Sequence, residues 1–197
     1  MPGFVAVAMA MVALFAVPHR FFVAATFAAM AIMMVVAWST GRVRVPRLTA
    51  RYITIGFASA LLLYLVFFAG NLAVRSVGFP GVSSSSESTI YSLIASPSNP
   101  LLLQIGVLAF DAAGYESFFR GTLQARLEPR LGVGSAPAVA FVDACLHVAT
   151  LSPLWVATTF VADLVWGLTF YYGKNLSASL TSHFVWDLAI FVIHPIS

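Results

Sequence analysis

Charged side chains are scarce in this sequence of 197 residues, where they make up only 9%. A soluble domain of this size would carry roughly a quarter, so the shortage excludes an ordinary soluble domain. Hydrophobic residues make up 60% instead, and the mean hydropathy is +0.94. Among the charged residues the acidic ones are fewer, with seven against ten basic ones. The resulting charge of +3 does not indicate nucleic-acid binding, because no basic patch is interleaved with base-stacking aromatics.

Cysteine and an N-terminal positive charge are also nearly absent. Cys145 is the single cysteine, so it forms no intrachain disulfide and says nothing about the redox compartment. Residues 1–17 contain no Lys or Arg ahead of their apolar stretch, which argues against a cleavable signal peptide. We therefore expect this first stretch to remain as a membrane helix.

Long apolar runs fill most of the chain, and their lengths are typical of membrane helices. They predict an all-α fold, a polytopic transmembrane helical bundle of about seven spans. The first run is short for a bilayer core of ~30 Å, so we expect it to tilt or to thin the bilayer locally. The spans are expected at 3–17, 21–38, 53–74, 101–119, 138–150, 154–172 and 176–193, with turns at 131–137 and 173–175.

A long polar connection divides the chain into three predicted parts. Residues 1–75 form an N-terminal three-helix membrane region, and residues 101–197 form a four-helix core. Between them, residues 76–100 contain a serine-rich run and several prolines, which is typical of a loop. We expect this loop to be extracytoplasmic, with a short interfacial piece at residues 90–95.

The basic residues predict the orientation of the bundle. Residues 41–51 contain four arginines, and the positive-inside rule places this loop in the cytoplasm. With seven spans, the N-terminus is then inside and the C-terminus outside. Arg120 lies within a span. Seven basic residues, the four loop arginines with Arg126, Arg130 and Lys174, then fall on the cytoplasmic side, against Arg20 and Arg75 outside.

The fourth run ends in DAAGYESFFRG, residues 111–121, which carries two acids and an arginine. Each charge at membrane depth costs a few kcal/mol, so such side chains rarely face lipid. Asp111 and Tyr115 are four residues apart, as are Glu116 and Arg120, and this spacing places each pair on one side of a helix. We therefore expect a polar interior that receives them.

Two later runs offer partners for these residues. Asp143 precedes His147 by four residues, and His183 precedes Asp187 by four. The predicted topology places Glu116, His147 and His183 at a similar depth, roughly 13–16 Å from the cytoplasmic face. The fourth, fifth and seventh spans are therefore expected to converge on one buried site.

These motifs resemble those of the CAAX-protease and bacteriocin-processing (CPBP, or Abi) intramembrane endopeptidases. That family carries Glu-Glu-x-x-x-Arg, often continued as Phe-Arg-Gly, then Phe-x-x-x-His and a final His-x-x-x-Asn/Asp. The counterparts here are YESFFRG at 115–121, DACLH at 143–147 and HFVWD at 183–187. The resemblance covers residues 101–194, about half of the chain.

The sequence departs from the family pattern at two positions. Tyr115 stands where the family has the first glutamate, which is usually assigned as the base that activates water. Asp143 stands where the family often has phenylalanine. The first departure leaves Glu116 as the remaining acid of the motif.

The resemblance implies glutamic-type peptide hydrolysis by water inside the membrane. Glu116 and His147 are then expected to activate water, and His183 to stabilise the developing oxyanion. An ionised Asp187 would repel an oxyanion, so it could assist only when protonated or by orienting His183. Arg120 is expected to pair with Glu116 or to tie down the end of its helix.

Further residues admit alternative roles. Asp111 lies one turn before Tyr115 and could supply the missing acid; Tyr115 and Asp143 are further auxiliary candidates. No cofactor is expected. A zinc site formed by His147, His183 and Glu116 is the alternative, because two histidines and one acid suffice for catalytic zinc. Asp163 matches no motif and is expected to be structural or to support a site residue.

The expected function is an intramembrane endopeptidase that cuts near a membrane-associated C-terminal or leader signal. Its expected partners are a peptide or protein with an apolar or lipidated segment, and membrane lipids, with no nucleic acid. A catalytically inactive maturation partner is one alternative, and a small transporter or proton relay is another, since intramembrane acids and histidines also mark such paths. The expected location is a bacterial or archaeal plasma membrane.

Overall fold

The structure of the chain is a computed structural model that describes residues 2–41, 43, 47–77 and 99–194. The predicted interfacial piece at 90–95, most of the predicted loop and two of the loop arginines, Arg42 and Arg44, lie outside the described residues. Helices dominate the described part, and it contains no strand. They are α1 (Pro2–Ala16), α2 (Phe22–Ser39), α3 (Ala50–Val77), α4 (Leu101–Phe118), α5 (Ala125–Leu131), α6 (Ser135–His147), α7 (Pro153–Gly173) and α8 (Leu176–Leu188).

The described helices confirm the predicted all-α membrane bundle. Five helical stretches are long and apolar enough to cross a membrane, and one of them, Leu101–Thr150, contains two of the predicted spans. The shorter apolar helix is α1, with 15 residues. Apolar side chains of α3 such as Leu61, Leu62 and Leu65 are more than half exposed, as expected of a surface in contact with lipid. The count of seven spans and their orientation stay predictions.

Local sequence signals explain where the C-terminal helices begin and end. Gly132 has a positive φ of 54° and follows the end of α5. The turn predicted at 131–137 is shorter in the structure, because it covers Gly132–Gly134 and α6 already begins at Ser135. Ser152 caps the start of α7 by accepting a hydrogen bond from the Trp155 N–H, and Pro153 occupies the first helical position. Asn175 caps α8 in the same way, through the Ser177 N–H at 2.8 Å.

A π-helical turn, Phe119–Gln124, continues α4 beyond its α-helical part. This wider turn buries both Arg120 and Gln124 completely, and Gln124 donates a hydrogen bond to the Gly167 carbonyl of α7 at 2.8 Å. A second π turn, Ala189–Ile193, continues α8. Isolated π turns occur frequently at functional sites, and the first one here directly follows Glu116.

Two apolar clusters form the interior of the bundle. One joins α1, α2 and α4 with Val139 of α6, and includes Met11, Met30 and Phe119. The other joins α3, α7 and α8, and includes Leu63 and Trp186. Of the helices that carry the motif residues, α4 packs against α8, and α6 contacts the π turn that follows α4. Helix α7 packs against both α6 and α8 and so joins the three.

Two glycines permit close helix pairs that fix the position of the motif helices. A Cβ atom on Gly56 of α3 would lie 2.5 Å from the Thr181 Cβ and 2.8 Å from the Ala178 carbonyl oxygen of α8. A Cβ atom on Gly114 of α4 would lie 2.8 Å from the Met30 Cβ and 2.9 Å from its carbonyl oxygen in α2. Small residues at such contacts are the usual way for membrane helices to approach closely.

We predict that Gly114→Ala destabilises the bundle by about 1–3 kcal/mol, because the added methyl group meets backbone atoms that cannot yield. Gly106→Ala is the matched control on the same helix, since its Cβ would meet nothing within 4 Å. Thermal unfolding in detergent micelles measures both variants. A Gly114→Ala midpoint at or above that of Gly106→Ala would contradict the close packing of α2 and α4.

Candidate active site

A buried ion pair lies just beyond the C-terminal end of α4, in the π turn that contains Arg120. The guanidinium of Arg120 makes two contacts with the Asp163 carboxylate of α7, one of them a hydrogen bond of 3.2 Å, and both side chains are fully buried. The Glu116 carboxylate lies 3.6 Å from the Arg120 Nε, beyond hydrogen-bond length. The expected pairing of Arg120 with Glu116 is therefore secondary, because Asp163 takes both terminal nitrogens of the guanidinium.

His183 stands at the centre of the polar site. Its Nδ1 lies 3.1 Å from a Glu116 oxygen, while its Nε2 lies 3.4 Å from an Asp187 oxygen and 3.7 Å from an Asp111 oxygen. Trp166 stacks on the imidazole, with ring centroids 3.7 Å apart and an interplanar angle of 11°. Because both ring nitrogens face carboxylate oxygens, only the doubly protonated ring offers an N–H to each side.

His147 forms a second group with the two residues that depart from the family pattern. The Tyr115 hydroxyl donates a hydrogen bond to the Asp143 carboxylate. The His147 Nδ1 lies 3.0 Å from the Asp143 carbonyl oxygen and 3.4 Å from its carboxylate. The sequence did not predict the contact between Tyr115 and Asp143, since it depends on how α4 and α6 are rotated about their axes.

A cavity of about 420 Å³ joins the two groups. Asp111, Tyr115, His147, His183 and Asp187 all line it, whereas Glu116 does not and is 0% exposed. The rest of the wall is mostly apolar and comes from α1, α2, α3, α4, α7 and the end of α8. The cavity therefore presents two imidazoles and two carboxylates to whatever enters it.

The structure brings the predicted residues together in a different arrangement from the one expected for a metal. The expected zinc set of His147, His183 and Glu116 is not a close cluster among the described residues: Glu116 lies 3.1 Å from the His183 Nδ1, but His147 does not join the pair at metal-ligand range. Among the described residues, the group whose donor atoms all lie within 4.8 Å of one another is Asp111, His183 and Asp187. This group replaces the earlier set as the place where a metal would fit.

Two residues that position the site were missed or underrated in the sequence. Asp163 matched no motif, yet it neutralises Arg120; the signal for it was a lone acid inside an apolar run that needed a cation at the same depth. Trp166 lies three residues further along α7 and stacks on His183. Its spacing from Asp163 places both on one side of α7.

Residues 97–189 match the family model described as type II CAAX prenyl endopeptidase Rce1-like. Together with the helical membrane fold, this match makes the chain similar to a class of intramembrane proteases. Over these residues, just under half of the chain, it resembles the CAAX-protease family, as its motifs indicated. No curated protein and no solved structure matches the chain.

We predict that Arg120→Met destabilises the fold by about 3–5 kcal/mol, because it leaves Asp163 as a buried charge without a cation. Lys174→Met is the matched control: it breaks the pair between Lys174 and Glu128, whose side chains are 59% and 26% exposed. Such an exposed pair contributes about 0–1 kcal/mol. Unfolding midpoints in detergent compare the two variants, and equal losses would show that the Arg120 pair is not structural.

Proposed function

We propose that the chain is an intramembrane endopeptidase that hydrolyses a peptide bond near a membrane-associated C-terminal or leader signal. The observation that carries this proposal is the cavity, which Asp111, His147, His183 and Asp187 from three helices all line. An apolar cavity with a few convergent polar groups is the usual form of a ligand or active site. Resemblance to a protease family supports the same reaction.

The cavity residues suit the two requirements of peptide hydrolysis, which are activation of water and stabilisation of the oxyanion. Asp111 and His147 are the residues that bind and activate water, since each presents an acceptor to the cavity. The His183 imidazolium is the group that stabilises the oxyanion, because its Nε2 is only loosely paired, 3.4 Å from an Asp187 oxygen and 3.7 Å from an Asp111 oxygen, so that its N–H can turn to a substrate oxygen. Asp187 then orients His183.

Glu116 takes a different role in this proposal from the one that the family motif implies. It lies outside the cavity wall and contacts the far nitrogen of His183 at 3.1 Å. From there it cannot reach a water molecule beside His147. It acts as a positioning residue that holds His183 and its charge, and Asp111 takes the place of the missing acid.

The apolar wall indicates the substrate class. Residues such as Met11, Phe67 and Ile190 surround the polar groups with hydrocarbon, which would bind an apolar or lipidated segment next to the peptide bond. The prenyl endopeptidase family that the chain matches points to the same class. We place the protein in a bacterial or archaeal plasma membrane, with membrane lipids as its surroundings.

We predict that purified protein in nanodiscs cuts peptides that carry an apolar or prenylated C-terminal segment, and that Asp111→Asn lowers kcat about 100-fold or more, as expected for loss of a water-activating group. Glu128→Gln is the matched control, the same carboxylate-to-amide change at an exposed ion pair. Mass spectrometry of the products measures cleavage.

Three outcomes would contradict the proposal. Full activity in Asp111→Asn together with its loss in Glu116→Gln would return the water-activating role to Glu116. Peptide binding by the unaltered chain without any cleavage would instead support the inactive maturation partner. Proton or solute flux into vesicles that contain the reconstituted protein would support a transporter.

A metal-dependent reaction is the second candidate, favoured by the close group of Asp111, His183 and Asp187. One histidine and two carboxylates are donors that zinc accepts, and Glu116 would then sit behind the histidine as carboxylates often do in zinc sites. The stacked indole of Trp166 instead favours a cationic His183, because an aromatic face attracts positive charge. We therefore place the metal-free reaction first.

Removal of metal separates these two reactions. We predict that dialysis against a strong chelator leaves the cleavage rate unchanged, and that elemental analysis of the active protein finds far less than one zinc per chain. Glu116→Gln should lower the rate with and without chelator alike. Loss of activity on chelation, restored by added zinc, would establish the metal-dependent reaction in its place.

A further inference from the structure

We propose that the imidazole of His147 takes the proton from water through its Nε2, and that Tyr115 and Asp143 are positioning residues that hold His147 ready for this step. The proposal rests on the proposed peptidase function and assigns the general base within it. It also gives one explanation for both departures from the family pattern, which the structure places in direct contact.

The first step concerns which nitrogen of His147 carries the proton. Its Nδ1 lies 3.0 Å from the carbonyl oxygen of Asp143. A carbonyl oxygen can only accept, so Nδ1 must be the donor. In the neutral ring the lone pair then lies on Nε2, and this nitrogen can accept a proton from water. A hydrogen bond at one ring nitrogen commonly sets the chemistry of the other in this way.

The second step concerns where that lone pair can act. The His147 side chain is buried, but it lines the cavity that also holds Asp111 and His183. Phe15 lies against the ring with centroids 5.0 Å apart, and Trp155 lies 6.4 Å away. With Nδ1 held by its own helix and two aromatic rings beside it, the imidazole is fixed in orientation.

The third step concerns the charge behind the ring. The Asp143 carboxylate lies 3.4 Å from Nδ1, is fully buried and does not line the cavity. One of its oxygens accepts the Tyr115 hydroxyl, and the other has no hydrogen-bond partner. When Nε2 gains a proton, the ring becomes a cation beside this carboxylate, which stabilises it most strongly in a site that excludes water.

The two departures from the family pattern therefore compensate each other. Replacing the first motif glutamate with Tyr115 removes a carboxylate from α4, and Asp143 introduces one on the facing turn of α6. The carboxylate has moved from beside the water to behind the histidine. A carboxylate behind an imidazole is the arrangement that lets a neutral histidine act as a base in many hydrolases.

The reaction is balanced without any further reactant. Water loses one proton to the His147 Nε2 as its oxygen bonds to the peptide carbonyl carbon, and the carbonyl oxygen becomes an oxyanion beside His183. When the tetrahedral intermediate collapses, the carbon–nitrogen bond breaks and the same proton passes from His147 to the leaving amine. Asp111 accepts a hydrogen bond from the second O–H of the water and so orients it, and this hydrogen stays on the oxygen that becomes part of the product carboxyl group.

The test begins with a spectroscopic readout that does not depend on activity. Nitrogen-15 NMR of histidine-labelled protein in nanodiscs, assigned with His147→Gln, should show His147 as the neutral ring protonated at Nδ1. A ring protonated at Nε2 in a chain that cleaves its substrate would overturn this inference and leave the proposed function intact. If the unaltered chain cleaves nothing, both proposals fail.

Kinetics then test the two positioning residues. Asp143→Asn should lower kcat about 100-fold with KM within about twofold, and Tyr115→Phe should lower kcat about threefold to tenfold. Tyr64→Phe is the matched control, since the Tyr64 hydroxyl bonds to His194 outside the cavity and its kcat should not change. Rates are divided by the concentration of folded protein, so that a variant that only folds less well shows no decrease in kcat.

Double variants at Tyr115 and Asp143 test whether the carboxylate of one position compensates for its loss at the other, or whether the two side chains only pack together. Tyr115→Glu combined with Asp143→Phe recreates the family arrangement and should recover at least tenfold over Asp143→Phe alone, because the carboxylate returns to the other side of the water. Tyr115→Phe combined with Asp143→Phe keeps similar volume without any carboxylate and should recover nothing. Equal recovery in both double variants would show that only packing connects these positions.

Discussion

The burial of one guanidinium is the constraint on which the rest of the structure depends. Arg120 cannot face lipid without a large cost, so the bundle must bring anions to it at membrane depth. Asp163 meets it from α7, and Glu116 meets it from the preceding turn of α4. Glu116 in turn contacts His183 of α8. A single chain of charges thus joins three helices and fixes the histidine that faces the cavity.

Much of the fold could be predicted because apolar run length determines membrane helices directly. The predicted spans agree with the described helices to within about three residues at most ends, and the turns at 132–134 and 173–175 follow from glycine and helix caps. The approach of His183 to Glu116 was also predicted from sequence, since counting residues along the predicted spans gives both a similar depth. Depth along a helix can be counted from residues alone.

Rotation about the helix axis could not be counted in that way, and the site depends on it. Whether Asp111 or Glu116 faces the cavity differs by a rotation of α4, and the motif favoured Glu116 while the structure buries it. The partner of Arg120 was open for the same reason, because Asp163 had no motif to mark it. The contact between Tyr115 and Asp143 needed the rotations of two helices at once.

The π turn at Phe119–Gln124 has a consequence for comparing this chain with others. A π turn accommodates an extra residue within an otherwise regular helix, and at about 100° per residue this rotates everything beyond it relative to the motif. A relative without the π turn would therefore align residue for residue up to Phe118, and beyond it the aligned residues would occupy different positions around the helix. Its equivalent of Gln124 would point about 100° away from the Gly167 carbonyl unless a one-residue gap were opened in the alignment there.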